Sequence, residues 1–327
     1  MNTRLAEFLA IGEEVTDAEE EAFLLFSQEI PSSNLGFVDS RATTVDVTIR
    51  GGEYSIHQSP TLLSSSRAGG TTGAVLWKIT PHFAEWISSP SNPLRTHGFL
   101  SSDSVVTELG CGISALVALA VAPTVQHYIA TDQEYVRRLF RTNVDANAAV
   151  NAPSAKQRGS KAKGKSATKK QSAGIPTASN ITFTTLDWET DQPGLLKGCI
   201  ESETSGRDTL HNNDNDVEEE DLGFDLLLSC DCIYNEALVA PFVRTCAEIS
   251  RLRPAYQPSE ESDSQSRRPP TVCIIAQQQR SPDVFETWLR ETLREFRVWR
   301  LSDEALGDGL KGGNGYLVHL LMVREKN

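Results

Sequence analysis

What this 327-residue chain lacks narrows its function first. Its six cysteines, at 111, 199, 230, 232, 246 and 273, include no Cys-x-x-Cys pair and no histidine at ligand spacing. That scatter argues against a zinc site or a disulfide framework and for reduced intracellular thiols. No apolar run reaches the roughly 20 residues of a membrane-spanning helix, since Ile113–Ala122 is too short. The amino terminus, Met-Asn-Thr-Arg-Leu-Ala-Glu-Phe, has no leader-like apolar core. The expectation is therefore a cytoplasmic protein without membrane contact. Basic charge is also in deficit, with 31 Lys and Arg against 44 Asp and Glu, a net charge of −13. A general nucleic-acid reader carries the opposite sign, so the acidic balance points to a basic partner or simply to solubility.

The length accommodates one large domain or two ordinary ones, and a continuous series of strand and helix signals favours one domain with insertions. Residues 1–72 read as an N-terminal extension. Its acidic stretch Glu13–Glu21, followed by Phe23–Phe26, predicts a peripheral helix, while Thr43–Ile49, Gly51-Gly52 and Glu53–His57 predict a β-hairpin. Apolar residues at helical spacing predict a helix over Gly73–Ile87. From Val105 onward, strands at 105–109, 127–131, 181–186, 225–230 and 271–277 alternate with helices at 113–121, 133–148, 236–251 and 282–295. Such alternation builds an α/β domain, residues 73–327, with a mostly parallel sheet covered by helices on both faces. The tail, strands 296–301 and 316–323 with no helix between them, predicts an antiparallel last pair.

Three segments have the composition of solvated insertions. Residues 151–173 hold seven Lys or Arg and no acid, residues 201–221 hold nine Asp or Glu against one Arg, and residues 254–270 are rich in Pro, Ser, Glu and Arg. A functional alternative for the basic segment is contact with ribosomal RNA or a nuclear address.

The chemistry concentrates in residues 104–132. A strand ends in Glu108-Leu-Gly110-Cys111-Gly112, an apolar helix follows, and a second strand ends at Asp132. Glycines there let the backbone turn sharply and approach a ligand, and a carboxylate about twenty residues on can hold ribose hydroxyls. With Ala115 in third place the turn also fits a dinucleotide fingerprint. Glu108 separates the two cofactors: a carboxylate at that position repels a pyrophosphate and can pair with the α-ammonium of S-adenosylmethionine. Leu186-Asp187-Trp188 supplies an indole face for adenine and an acceptor for its exocyclic amine. Asp231 and Tyr234 follow the fourth strand, at the edge where open α/β sheets bind ligands.

Together Thr72-Gly-Ala-Val-Leu-Trp77, Glu108-Leu-Gly-Cys-Gly112, Asp132, Leu186-Asp-Trp188 and Asp231-Cys-Ile-Tyr234-Asn-Glu236 resemble the seven-strand S-adenosylmethionine-dependent methyltransferases. Within them they resemble protein-lysine methyltransferases with Asp-x-x-Tyr after the fourth strand, in particular the fungal ribosomal lysine N-methyltransferase 5 family. The resemblance implies a Rossmann-like seven-stranded sheet with an antiparallel last strand. It implies that Trp77 and Gly110 to Gly112 line the cofactor, that Asp132 holds its ribose, and that Trp188 and Cys230 flank the adenosyl part. Asp231 and Tyr234 would border the target-lysine channel as the catalytic pair. The implied substrate is a lysine of a large-subunit ribosomal protein, and the enzyme is expected to act as a monomer.

Three alternatives stand beside this. A nucleic-acid or small-molecule methyltransferase of the same fold is disfavoured because the prolines of an Asp-Pro-Pro-aromatic motif are absent from Asp231–Tyr234. A non-catalytic module binding a ribosome or chaperone is disfavoured by the joint presence of Glu108, Asp132, Trp188 and Asp231. A nicotinamide oxidoreductase is disfavoured by Glu108 and by the lack of a His or Lys proton donor near the strand ends.

Overall fold

Ten strands form in the computed structural model, which describes residues 3–66, 70–148, 180–200, 221–257 and 268–326. They are β1 (Gly12–Val15), β2 (Thr44–Ile49), β3 (Gly52–His57), β4 (Val105–Leu109), β5 (His127–Asp132), β6 (Ile181–Thr185), β7 (Leu226–Cys230), β8 (Val272–Gln278), β9 (Phe296–Leu301) and β10 (Tyr316–Val323). Eight join one sheet in the order β1-β9-β10-β8-β7-β4-β5-β6, and β2 pairs with β3 as a separate hairpin. The strands β6, β5, β4, β7 and β8 run parallel. β10 is antiparallel to both β8 and β9. The expected insertion 151–173 lies outside the described residues, as do 201–220 and 258–267 of the other two.

Period-two alternation explains how the sheet is covered. In β7, Leu226 and Leu228 join one core with the Ile79–Ser88 and Leu116–Val121 helices. Leu227 faces the other core with the Val239–Ser250 and Pro282–Glu295 helices. Central strands β8 and β10 are buried along their whole length, as expected of strands sandwiched between helices.

Three elements differ from the sequence expectation. β1 adds an eighth strand where only a helix was expected; its Glu13 and Glu14 pair with Arg300 and Arg297 of β9, against which β1 lies antiparallel. The helix expected over Gly73–Ile87 is a single 3-10 turn at Thr72–Ala74 and an α-helix only from Ile79, because the chain between pairs with residues 36–38: Val38 N donates to Leu76 O and Lys78 N to Gly36 O at 2.9 Å each. A short helix, Asp303–Leu310, fills the connection expected to lack one, and its Ser302 cap accepts from Ala305 N.

The hairpin belongs to the same core as the Leu116–Val121 helix, with Ile49, Tyr54 and Ile56 buried in it. Two asparagines of the Arg137–Asn147 helix satisfy the outer edge of β3. Asn147 bonds both backbone groups of Ser55, and Asn143 bonds N and O of His57 at 2.7 and 2.8 Å. Asn143 also donates to Ile113 O at 2.7 Å, so one side chain ties the hairpin to the loop after β4. Asn143→Leu strands three backbone groups and should cost roughly 2–4 kcal/mol, read as a lower urea midpoint. A loss under about 0.5 kcal/mol would show that water replaces those bonds.

Candidate functional site

Five loops converge where the parallel strands end: after β4, β5, β6, β7 and β8. After β4 the chain reverses through Gly110 and Gly112, with φ of 67° and 60°. Gly110 N and Cys111 N both donate to Thr131 O, at 2.9 and 3.1 Å. A Cβ on Gly110 would lie 2.3 Å from Cys232 Sγ and 3.4 Å from Trp188 Cζ2, so only glycine fits between them. Ile113 N donates to Gly73 O at 3.0 Å, which brings the Thr72–Trp77 segment over the turn.

Two carboxylates flank this loop. Asp132, at the end of β5, accepts from Gly112 N at 2.8 Å through Oδ2 and from Gln133 N at 2.7 Å through Oδ1. Each oxygen keeps a lone pair for another donor such as a ribose hydroxyl. Glu108 is buried and accepts a 2.8 Å bond from the Tyr128 hydroxyl, but pairs with no cation among the described residues. Burial pushes Glu108 up to about 7 against that hydrogen bond, and the neighbouring Asp132 charge adds to the rise. Burial likewise lifts Asp132 to about 6, opposed by the Gly112 and Gln133 N–H groups. Both carboxyls hold their protons more tightly folded than unfolded. The stability they contribute is present at low pH and lost as pH rises through about 6 and about 7, unless a donor or cation arrives.

Trp188 stands beside the turn, edge-on to Phe242 at 5.0 Å, and its buried Nε1 has no partner among the described residues. Asp187 is exposed and accepts from Glu189 N at 2.9 Å, holding the loop that carries Trp188. Cys230 is not brought to Trp188. It packs at the edge of the opposite core, where Thr80 hydrogen-bonds it, and Cys232 takes the place beside Gly110 and Trp188.

The reason is Asp231, whose φ of 65° turns the chain as β7 ends. The buried Asp231 carboxylate accepts from Gln278 N at 3.2 Å and Gln278 Nε2 at 2.7 Å, and it forms an ion pair with Arg280. The Arg280 guanidinium lies 4.5 Å over the Trp77 ring, whose Nε1 donates to Thr72 O at 3.0 Å. Thr72 also hydrogen-bonds Tyr234, a partly exposed phenol that burial pushes upward in pKa. Asp231, Tyr234 and Trp77 thus share one corner. The cap of the following helical turn is Asn235, which accepts from Ala237 N, so Asp231 is not spent as a cap.

Sequence reasoning missed Gln278 and Arg280. Their signal was the run Gln277-Gln278-Gln279-Arg280, which ends an otherwise apolar strand where ligands of such sheets bind.

No family model matches the chain. It is 29% identical to a ribosomal lysine N-methyltransferase 5 of Zygosaccharomyces rouxii, over 75% of this chain and 72% of that protein. It is 26% identical to the protein of that name from Candida glabrata, over 74% and 70%. It is also 25% identical to a diaminohydroxyphosphoribosylamino-pyrimidine deaminase of Schizosaccharomyces pombe, over 87% of this chain; the chain spans about half that relative's length, 53%. Among solved structures, the N-methyltransferase NodS from Bradyrhizobium japonicum in complex with S-adenosyl-L-homocysteine aligns at a TM-score of 0.33 and 11% identity, over 72% of this chain and 90% of that one.

Removing Arg280 leaves a buried carboxylate without its cation. Arg280→Ala should cost about 3–5 kcal/mol in denaturant unfolding, and Asp231→Asn in the same background should recover most of it. A loss below about 1 kcal/mol would mean that the pair is screened like a surface ion pair.

Proposed function

We propose that this chain is an S-adenosylmethionine-dependent protein-lysine N-methyltransferase acting on a ribosomal protein, with residues 73–327 as its catalytic domain. Glu108 carries the reading. A buried carboxylate with no cation of its own, beside a glycine turn and a ribose-type aspartate, suits a ligand bearing an ammonium and opposes one bearing a pyrophosphate. The names of the two yeast relatives support the substrate half of the proposal. A cytoplasmic monomer fits the reading, and no helix among the described residues is long and apolar enough to cross a membrane.

When bound, S-adenosylmethionine supplies a methyl group on a cationic sulfur, which an amine nitrogen takes by displacement. The residues present fit that cofactor. Glu108 would hold its α-ammonium, Asp132 its ribose hydroxyls, and Trp188 its adenine face, with Asp187 accepting from the exocyclic amine. The Gly110–Gly112 turn keeps the backbone close enough for contact, with Cys111 and Cys232 behind it.

A target lysine must arrive neutral, and removing its proton at pH 7 costs about 4–5 kcal/mol. Desolvation in the partly apolar channel beside Tyr234 disfavours the charged amine and lowers that cost, with Trp77 on the cofactor side. Tyr234 lies against the lysine stem, and Asp231, through the lone pairs left by Gln278 and Arg280, orients the amine.

Tritiated S-adenosylmethionine should label salt-extracted ribosomal proteins in a product destroyed by protease and resistant to nuclease. Asp231→Asn should lower that transfer by about 100-fold or more with the cofactor Kd little changed. Nuclease-sensitive label, or full activity in the variant, would sink the assignment. Because cofactor binding requires ionised Glu108, affinity should rise with pH and level off above about 7, falling up to about tenfold per unit below it. Calorimetry across pH checks this, with Glu108→Gln binding weakly and losing most of the slope.

A further inference from the structure

We infer that the groove between the Ala18–Phe26 helix and the start of the Pro282–Glu295 helix is the docking track for the basic polypeptide stretch that carries the target lysine. This rests on the methyltransferase reading and extends it to how the substrate is held. The Ala18–Phe26 helix lies outside the seven-strand core yet is firmly fastened. Its buried Glu21 accepts two bonds from Arg300 Nη1, at 2.8 and 2.7 Å, and Gln279 Nε2 donates to Leu25 O at 3.0 Å. A helix so anchored nevertheless leaves Phe23 76% exposed.

Phe23 and Phe26 line an open groove of about 700 Å³ that also carries Asp17, Glu19, Glu20 and Glu286. Glu286 is offset by Arg290, and Asp17 caps the helix by accepting from Glu19 N and Glu20 N. Glu19 and Glu20 have no cation partner among the described residues. The surface therefore offers an apolar floor with uncompensated negative charge, which complements a chain of mixed basic and apolar side chains and disfavours an acidic one.

The groove adjoins the reactive corner. Phe26 lines a second, small cavity together with Gln277, Tyr234 and Arg280. In that cavity Gln277 is 2% exposed, and its Nε2 has no hydrogen-bond partner among the described residues. An unmade donor in so buried a position is costly, and a peptide carbonyl satisfies it once the Phe26 wall of that cavity of about 20 Å³ opens. An extended peptide could thus set an apolar side chain on Phe23, cations beside Glu19 and Glu20, and a lysine at Tyr234.

The test uses the full chain and a short fluorescein-labelled peptide of lysine, arginine and leucine. Anisotropy should show binding that weakens with salt, and a glutamate-for-lysine-and-arginine control peptide should not bind. Glu19→Gln with Glu20→Gln should weaken binding about tenfold, and Phe23→Ser several-fold, with cofactor affinity unchanged and the melting temperature lowered by at most about 5 °C. Wild-type affinity in these variants, or no peptide binding by the wild type, would overturn the docking track. So would loss of self-association as the sole effect of Phe23→Ser, which would assign the face to a second copy of the chain. Failure of the wild type to bind S-adenosylmethionine would instead remove the enzyme reading and leave the peptide result to stand by itself.

Discussion

The architecture of the candidate site depends on the clamp that holds the Asp231 carboxylate. A non-glycine residue in the left-handed region is unfavourable by order 1–3 kcal/mol and persists only where its surroundings over-determine it. Here they do: Asp231 N donates to Ala276 O at 2.7 Å, and both carboxylate oxygens are held from the end of β8. The same turn ends the alternation of β7, so it sends Cys232 to the glycine loop and presents Tyr234 at the edge.

Gln278 extends that clamp in the other direction. While its Nε2 donates to Asp231, its Oε1 accepts from Gly36 N at 2.6 Å. Residues 36–38 in turn pair with 76–78, and Arg280 covers Trp77. One glutamine and one arginine therefore connect the corner after β7 with the segment that crosses the glycine turn. The N-terminal extension becomes part of the site's wall as well as an edge to the sheet. Glu108 and Asp132 set the electrostatics beside it: Glu108 is buried and Asp132 half-buried, and both carboxyls are held above their ordinary pKa.

Much of this was legible in the sequence because it is local. The parallel core, the Gly110–Gly112 turn, Asp132 and the Asp231–Tyr234 stretch are each written in one continuous segment whose periodicity or spacing has a direct backbone meaning. What escaped was set by contacts across long stretches of chain. β1 reads as acidic and helical until Arg297 and Arg300 are placed beside it. Val75–Trp77 continues the helical spacing of the residues after it, yet it is drawn out by pairing with 36–38. Cys230 and Cys232 are expected on opposite sides of an apolar strand and do enter opposite cores, but the alternation is not the cause: residues two apart share a face of a continuous strand, and the turn at Asp231 separates them. Arg280 lies 49 residues beyond its partner, so no local pattern could join them.

The central claim is that Glu108 awaits the ammonium of a sulfur-based cofactor. A crystal structure of the protein with S-adenosylhomocysteine tests it most directly. The account predicts the amino group within about 3 Å of the Glu108 carboxylate and the ribose hydroxyls on Asp132. The amino group elsewhere with Glu108 still bonded to Tyr128 alone, or a pyrophosphate-bearing nucleotide accepted in that place, would contradict it.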